Sequence, residues 1–246
     1  MSSLSKIGKC LFALAALAFG VLLILHLISP AIPAGGEPFF VLSRFWAWII
    51  GAILVATAAG MSIEKYAKSS ALLLALVFLM RAVIVYVPEV IAAPRKPSPW
   101  GSVFELLGIC GCALVVYGGP PAKWGRIVYC IELVGFAIQH FLYAQFVATL
   151  VPSWIPDHLF WAYFIGVALC ASAVSILSGI YTRVAAGLLG LMFFSWVLIL
   201  HLPRCFASPH SGPEWTSAFN ALAMAGGAWV IAGSARAFKM YGKSGS

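Results

Sequence analysis

Charge is what this chain has least of. Only 9% of its 246 residues are Asp, Glu, Lys or Arg, against roughly 25% in ordinary soluble domains. That scarcity excludes a well-solvated surface and the soluble folds that depend on one. Motifs that carry chemistry are missing too. There is no Gly-rich loop to cradle phosphate, no hydrolase triad and no nucleotide site, so an ATP-driven function is unsupported. Neither His-Glu-x-x-His nor Cys-x-x-Cys occurs among the residues, which leaves no zinc-protease signature and no dithiol at a helix end. Cys110 and Cys112 sit two apart on one helix, so their side chains diverge by about 200° and cannot pair. Cys10 and Cys130 fall near the cytoplasmic side and Cys205 in an outer loop. The thiols read as small, polarizable packing residues.

What is present is hydrophobic. Such residues make up 63% of the chain, and they come in runs of about 20, long enough to cross roughly 30 Å of hydrocarbon. The pattern predicts eight spans: Ile7–Ile28, Phe45–Ile63, Ser70–Val90, Val103–Gly118, Ile127–Val151, Phe160–Leu177, Val184–Leu202 and Ala218–Gly233. The fold expected is therefore all-α, a polytopic membrane protein with no room for a soluble domain. Lys6 and Lys9 precede the apolar stretch Cys10–Ile28 of the first span as in a signal peptide. That span exceeds the 7–15 residues of a signal core, and it aligns with the fifth, so it is expected to be retained.

Phe45 to Gly118 returns without a gap as Phe160 to Gly233, with about a third of positions identical. Phe45-Trp46-Ala47 becomes Phe160-Trp161-Ala162, Pro88 becomes Pro203, Pro94 becomes Pro209, Trp100 becomes Trp215 and Gly111 becomes Gly226. Internal repetition takes precedence over other fold signals. It predicts two four-helix units, residues 1–119 and 120–246, divided at Gly118-Gly119-Pro120-Pro121-Ala122. Four spans per unit make the repeats parallel, related by an axis along the membrane normal. Ten basic residues, from Lys6, Lys9, Lys65, Lys68, Lys123, Arg126 and Arg183 to Arg236, Lys239 and Lys243, fall on the side of the termini. Arg44, Arg95, Lys96 and Arg204 fall on the other. The positive-inside rule then places both termini in the cytoplasm. The net charge of +8 is this topology signal and gives no reason to expect nucleic acid. Proline-rich stretches at 29–36, 94–100 and 151–156 are expected outside the spans as stiff interfacial loops, with Trp100, Trp154 and Trp215 in an aromatic belt.

Polar residues inside spans are costly in lipid and are where function is sought. Arg81 lies about 20 Å along its helix from Lys68, and Glu105 roughly 7 Å inside the fourth span. An ion pair between them is geometrically reasonable, either to lock helices or to bind a ligand. The second unit has Trp196 and Asn220 in their places, so it lacks the pair. It carries Gln139-His140 near the middle of the fifth span and His201 near the outer end of the seventh. A single asymmetric site requires such broken symmetry. Glu132, an intramembrane carboxyl, either relays protons or reaches towards Arg126. His26 and His201 are the depth-matched histidines and His140 is deeper, which disfavours haem; no metal site is expected.

Gln139-His140-Phe141, the run 151–161 (VPSWIPDHLFW), Arg183-Val184-Ala185-Ala186, His201-Leu202-Pro203 and Ala225-Gly226-Gly227-Ala228-Trp229 together resemble the DoxX-like family of small bacterial membrane proteins. The likeness is good over the second unit and weaker over the first. It implies four-helix units, two of them fused here, in a bacterial inner membrane. Some relatives are associated with quinone-linked sulfur oxidation or membrane redox defence. Family members often carry an acidic residue before the fifth-span histidine and charge early in the last helix, where this chain has Gln139 and Asn220.

Three functions follow as expectations. One is a membrane subunit, working beside a partner redox subunit, that binds quinone or a similar lipid in the outer half. Its candidate residues are Arg81, Glu105, Gln139, His140 and His201, because quinone carbonyls need donors within an apolar cleft. Another is a non-enzymatic scaffold whose polar residues lock helices; His140→Ala abolishes binding in the first case and only lowers stability in this one. The third is a proton-coupled transporter using Glu132 and His140. It ranks last because helices broken by proline within the membrane are not expected.

Overall fold

The structure, a computed structural model, describes residues 2–25 and 44–241. His26, the proline-rich stretch 29–36 and Lys243 lie outside the described residues. Eleven α-helices make up the described part: α1 (Ser3–Ile24), α2 (Arg44–Ser62), α3 (Ala67–Arg81), α4 (Val87–Ala92), α5 (Pro97–Tyr117), α6 (Pro121–Leu142), α7 (Ala144–Leu150), α8 (His158–Ser178), α9 (Thr182–Trp196), α10 (Leu202–Ala207) and α11 (Gly212–Tyr241). Two π-helical turns, Ala82–Tyr86 and Val197–His201, join α3 to α4 and α9 to α10. There is no strand among the described residues.

Seven helices are long and apolar enough to cross a membrane: Ser3–Ile24, Ala67–Ala92, Pro97–Tyr117, Pro121–Leu142, His158–Ser178, Thr182–Ala207 and Gly212–Ala235. The remaining apolar helix is shorter over its described stretch, Trp46–Ser62. The outer surface agrees with a hydrocarbon solvent. Leu72, Leu76, Leu177 and Leu188 are each more than half exposed, an apolar coat that water does not tolerate. The interior holds small side chains: Ala71, Ala113, Ala162, Ala186, Ala225 and Ala228 are essentially fully buried. Without a hydrophobic force between helices, close backbone approach is what packs them. A Cβ on Gly111 would sit 2.7 Å from the Tyr129 amide nitrogen of α6, and one on Gly226 would sit 2.7 Å from the Gly8 carbonyl of α1.

Each helix packs on its neighbours in a closed order: α1 on α2, α2 on α3, α3 on α5, α5 on α6, α6 on α8, α8 on α9, α9 on α11 and α11 back on α1. Helices α5 and α11 also meet each other, so they form the centre. The boundaries of α3, its π turn and α4 recur 115 residues on in α9, its π turn and α10. A local bond recurs with them. The Trp100 indole N–H donates to the Pro94 carbonyl at 2.9 Å, and the Trp215 indole donates to the Pro209 carbonyl at 2.9 Å. These tryptophans tie the turn before α5 and before α11, a role beyond the aromatic belt.

Three expectations need correction. No proline-broken helix is expected, yet Pro88 and Pro203 both interrupt apolar helical stretches, Ala67–Ala92 and Thr182–Ala207. A proline cannot donate to the carbonyl four residues back, and its ring crowds that carbonyl. Widening the turn removes the conflict: the Val87 N–H bonds the Ala82 carbonyl and the Leu202 N–H bonds the Val197 carbonyl, each five residues back. Next, the fifth span does not run on to Val151. Tyr143 leaves helical geometry at φ −118° and ψ 32°, ending α6 at Leu142 and starting the short α7. Finally, Cys205 is not in an outer loop; it is buried in α10.

Candidate functional site

On α6, Glu132, Phe136 and His140 are spaced four apart, which sets them on one face of the helix. That face borders a cavity of about 270 Å³. Glu105 enters it from α5, Asn220, Ser217 and Met224 from α11, and Met192, Phe193 and Trp196 from α9. His201 closes it from the end of the second π turn. Val147, Leu150, Val151, Ile165 and Leu169 supply much of the apolar wall. The π turn matters here because it sets residues five apart on one side, so Trp196 and His201 both reach the cavity.

The polar groups are held unequally. The Asn220 side-chain amide donates to Glu105 Oε2 at 2.6 Å, which fixes both side chains on facing central helices. The Tyr129 hydroxyl donates to the Met224 carbonyl at 3.0 Å and braces α6 against α11 beneath them. His140 Nδ1 lies 2.8 Å from the Phe136 carbonyl. A carbonyl can only accept, so Nδ1 carries the hydrogen and Nε2 is the ring's remaining nitrogen. Two buried atoms at the cavity have no hydrogen-bond partner among the described residues: Glu132 Oε2 and His201 Nδ1. Glu132 is only 2% exposed, and its stem lies against Gly108, where a Cβ would come within 2.8 Å of its Cγ. Buried polar atoms are nearly always paired, so these two are the cavity's points for further hydrogen bonds.

The cavity thus unites Glu105, Glu132, His140 and His201, four residues that the sequence scattered over several helices. His140 stands two residues from the end of α6 rather than mid-helix, and it lines the same cavity as His201. Glu132 lines that cavity as well, and Arg126 hydrogen-bonds Ser234 at 3.4 Å. Arg81 and Gln139 stay outside. The expected Arg81–Glu105 ion pair does not form: Arg81 donates instead to the Tyr86 hydroxyl at 3.5 Å and lies over its ring. The first π turn is the cause, since it swings Arg81 and Tyr86 onto one side. Gln139 packs beside Gly101 on α5. Arg204 and Glu214 form an ion pair, 3.1 Å apart, between α10 and the first turn of α11. No three His, Cys, Asp or Glu side chains converge on a metal position among the described residues.

Sequence reasoning missed Asn220 as a member of the site, along with Trp196, Phe193 and Ser217. The signal for Asn220 was available. It stands 115 residues after Glu105, the spacing at which the helix boundaries from α3 to α4 recur. Cys112 and Gly227, also 115 apart, meet in the same way, since a Cβ on Gly227 would collide with the Cys112 side chain. Around Phe78, 115 residues before Phe193, the space is filled. Phe19 and Phe78, both 4% exposed, meet edge to face at 5.6 Å, and Phe219 closes on Phe19 at 6.3 Å.

No family model, curated protein or solved structure matches this chain.

Proposed function

We propose that this chain is an integral protein of a bacterial inner membrane, similar to the DoxX-like proteins, that binds a small redox-active lipid of the quinone class. The architecture in this reading is two fused, parallel four-helix units with eight spans, α2 among them, and both termini in the cytoplasm. The ligand lies in the outer half of the second unit, and electrons pass to or from it through a partner redox subunit. The observation that carries the reading is the convergence of Glu132, His140 and His201 with Glu105–Asn220 in one otherwise apolar cavity. Binding sites for small molecules are of this kind: apolar walls with a few placed polar groups. The residues fit a single substituted ring. Phe136, Phe193 and Trp196 offer aromatic walls, while Glu132 Oε2 and His201 Nδ1 await partners. When bound, such a ring supplies two-electron, two-proton chemistry; the chain's own groups orient it and exclude water.

Native mass spectrometry of the protein, purified from its own membranes in mild detergent, tests this. The expected result is an adduct of quinone mass that is lost in Ala221→Phe, which fills the cavity while keeping α11 apolar. A clean mass in both proteins, with Ala221→Phe more heat-stable, refutes the site and leaves a packing scaffold.

A second reading has one observation in its favour. The two π turns occupy matching places in the two halves, and interrupted helices at corresponding positions are a mark of transporters. Proton-coupled transport through Glu132 and His140 predicts solute-driven proton uptake in proteoliposomes, abolished in Glu132→Gln.

A further inference from the structure

A second hollow of about 350 Å³ lies between α8 and α9, bordered by Ile155, Trp161, Leu188, Leu191, Ser195 and Ile199, with Met192 and Trp196. Met192 and Trp196 are also walls of the polar cavity. The two spaces are therefore back to back, with those two side chains as the partition. The second space opens outward along α9. Leu188 and Leu191 are 62% and 52% exposed, on the surface that faces hydrocarbon, and Ser195 is the single polar side chain among its walls. The Trp196 indole is supported on that outer side by Trp161, edge to face at 6.5 Å. Directly after Trp196 the π turn begins, and such turns interrupt the regular α-helical ladder at functional sites.

Resting on the cavity reading above, we infer that this groove is the lateral entrance to the cavity and the seat of the ligand's hydrocarbon chain. A ligand with a polar ring and an apolar tail reaches the protein from within the bilayer, passes between α8 and α9 and displaces the Trp196 indole. Its ring then lies against Glu132, His140 and His201 while its tail stays in the groove against Leu188, Leu191 and Ile199. The assignment narrows the ligand class. It is a lipid with a long chain on one side of its ring, as opposed to a water-soluble ring that arrives from the outer face. Three facts favour this occupant: the shared walls, the predominance of apolar side chains in the groove, and its outlet on a lipid-facing flank.

The test uses the whole protein in lipid nanodiscs, a benzoquinone with a ten-carbon chain ending in a photoreactive diazirine, and peptide mapping of the labelled protein. Tail-free tetramethyl-benzoquinone serves as competitor. The expected result is labelling concentrated on 154–164 and 188–199, reduced at least tenfold by the competitor. Leu191→Trp, which plugs the groove, is expected to cut that labelling at least tenfold while the tail-free ring still binds within twofold of normal. Competed labelling elsewhere, such as on α1 and α2, overturns the entrance but leaves the cavity reading standing. Labelling of α8 and α9 that the competitor leaves unchanged is ordinary lipid contact and overturns it too. If the tail-free ring itself fails to bind, the cavity reading falls and this inference falls with it.

Discussion

His140 shows how one hydrogen bond sets what a cavity selects. With Nδ1 committed to the Phe136 carbonyl, its other nitrogen is an acceptor while the ring is neutral. Glu132 Oε2 adds a carboxyl oxygen without a partner, and the Asn220 amide has already been given to Glu105. The free ring nitrogen of His140 is thus an acceptor that a carbonyl-bearing ring cannot use, and a ring that carries hydroxyls suits it better. Titration of the nanodisc-embedded protein with tetramethyl-hydroquinone and with its oxidised form is expected to favour the reduced one by at least threefold; equal affinities count against this account. Asn220→Leu leaves Glu105 Oε2 buried without its donor, which costs about 1–3 kcal/mol. A lowered unfolding midpoint in detergent checks it, and an unchanged midpoint shows that another donor takes over. Little of this could be read in advance. Glu105, His140 and His201 stand out in the sequence because lipid makes them expensive, but their partners are set by helix rotation. Arg81 makes the point: it is as costly as any of them, yet a π turn hands it to Tyr86 instead of Glu105.

At the level of helices, the legible part was the part that repeats. Apolar length gave seven helices able to cross a membrane, and the recurrence of Pro88 as Pro203 and of Trp100 as Trp215 turned out to be paired π turns and paired indole–carbonyl ties. What the periodicity hid was the consequence of each proline. A regular helix would carry Trp196 and His201 on different faces, because five residues advance it by about 500°. Deleting Ile199 removes the extra residue of the second π turn and rotates everything after it by about 100°. Ligand binding is expected to be lost while the helical circular dichroism stays within a few per cent; retained binding means the π turn has no part in placing the site. Close packing gives a further check. Gly111→Val drives a branched side chain into the α6 backbone, and overpacking of this kind costs about 1–3 kcal/mol. Its thermal unfolding should fall below that of Gly187→Val, since nothing lies within 4 Å of a Cβ at Gly187. Equal effects would contradict the packing described.

For the molecule as a whole, the two halves share a skeleton and differ in what fills it. In the first half aromatic rings occupy the space; in the second a cavity takes its place. Phe78→Ala therefore opens a new void in a packed region and is expected to cost about 3–5 kcal/mol. Phe193→Ala, its counterpart beside an existing cavity, should cost less than half as much, and comparing their denaturation midpoints decides it. Such a division of labour needs two halves whose sequences differ, and the bond between Glu105 and Asn220 shows what that difference permits. In a symmetric pair of identical chains, a position on the shared axis would always meet an identical residue, acid against acid or amide against amide. Here an acid faces an amide, because the two positions belong to one chain and carry different residues. A substitution in one half therefore leaves the other as it was, and one half can hold a cavity while the other keeps the packing sound.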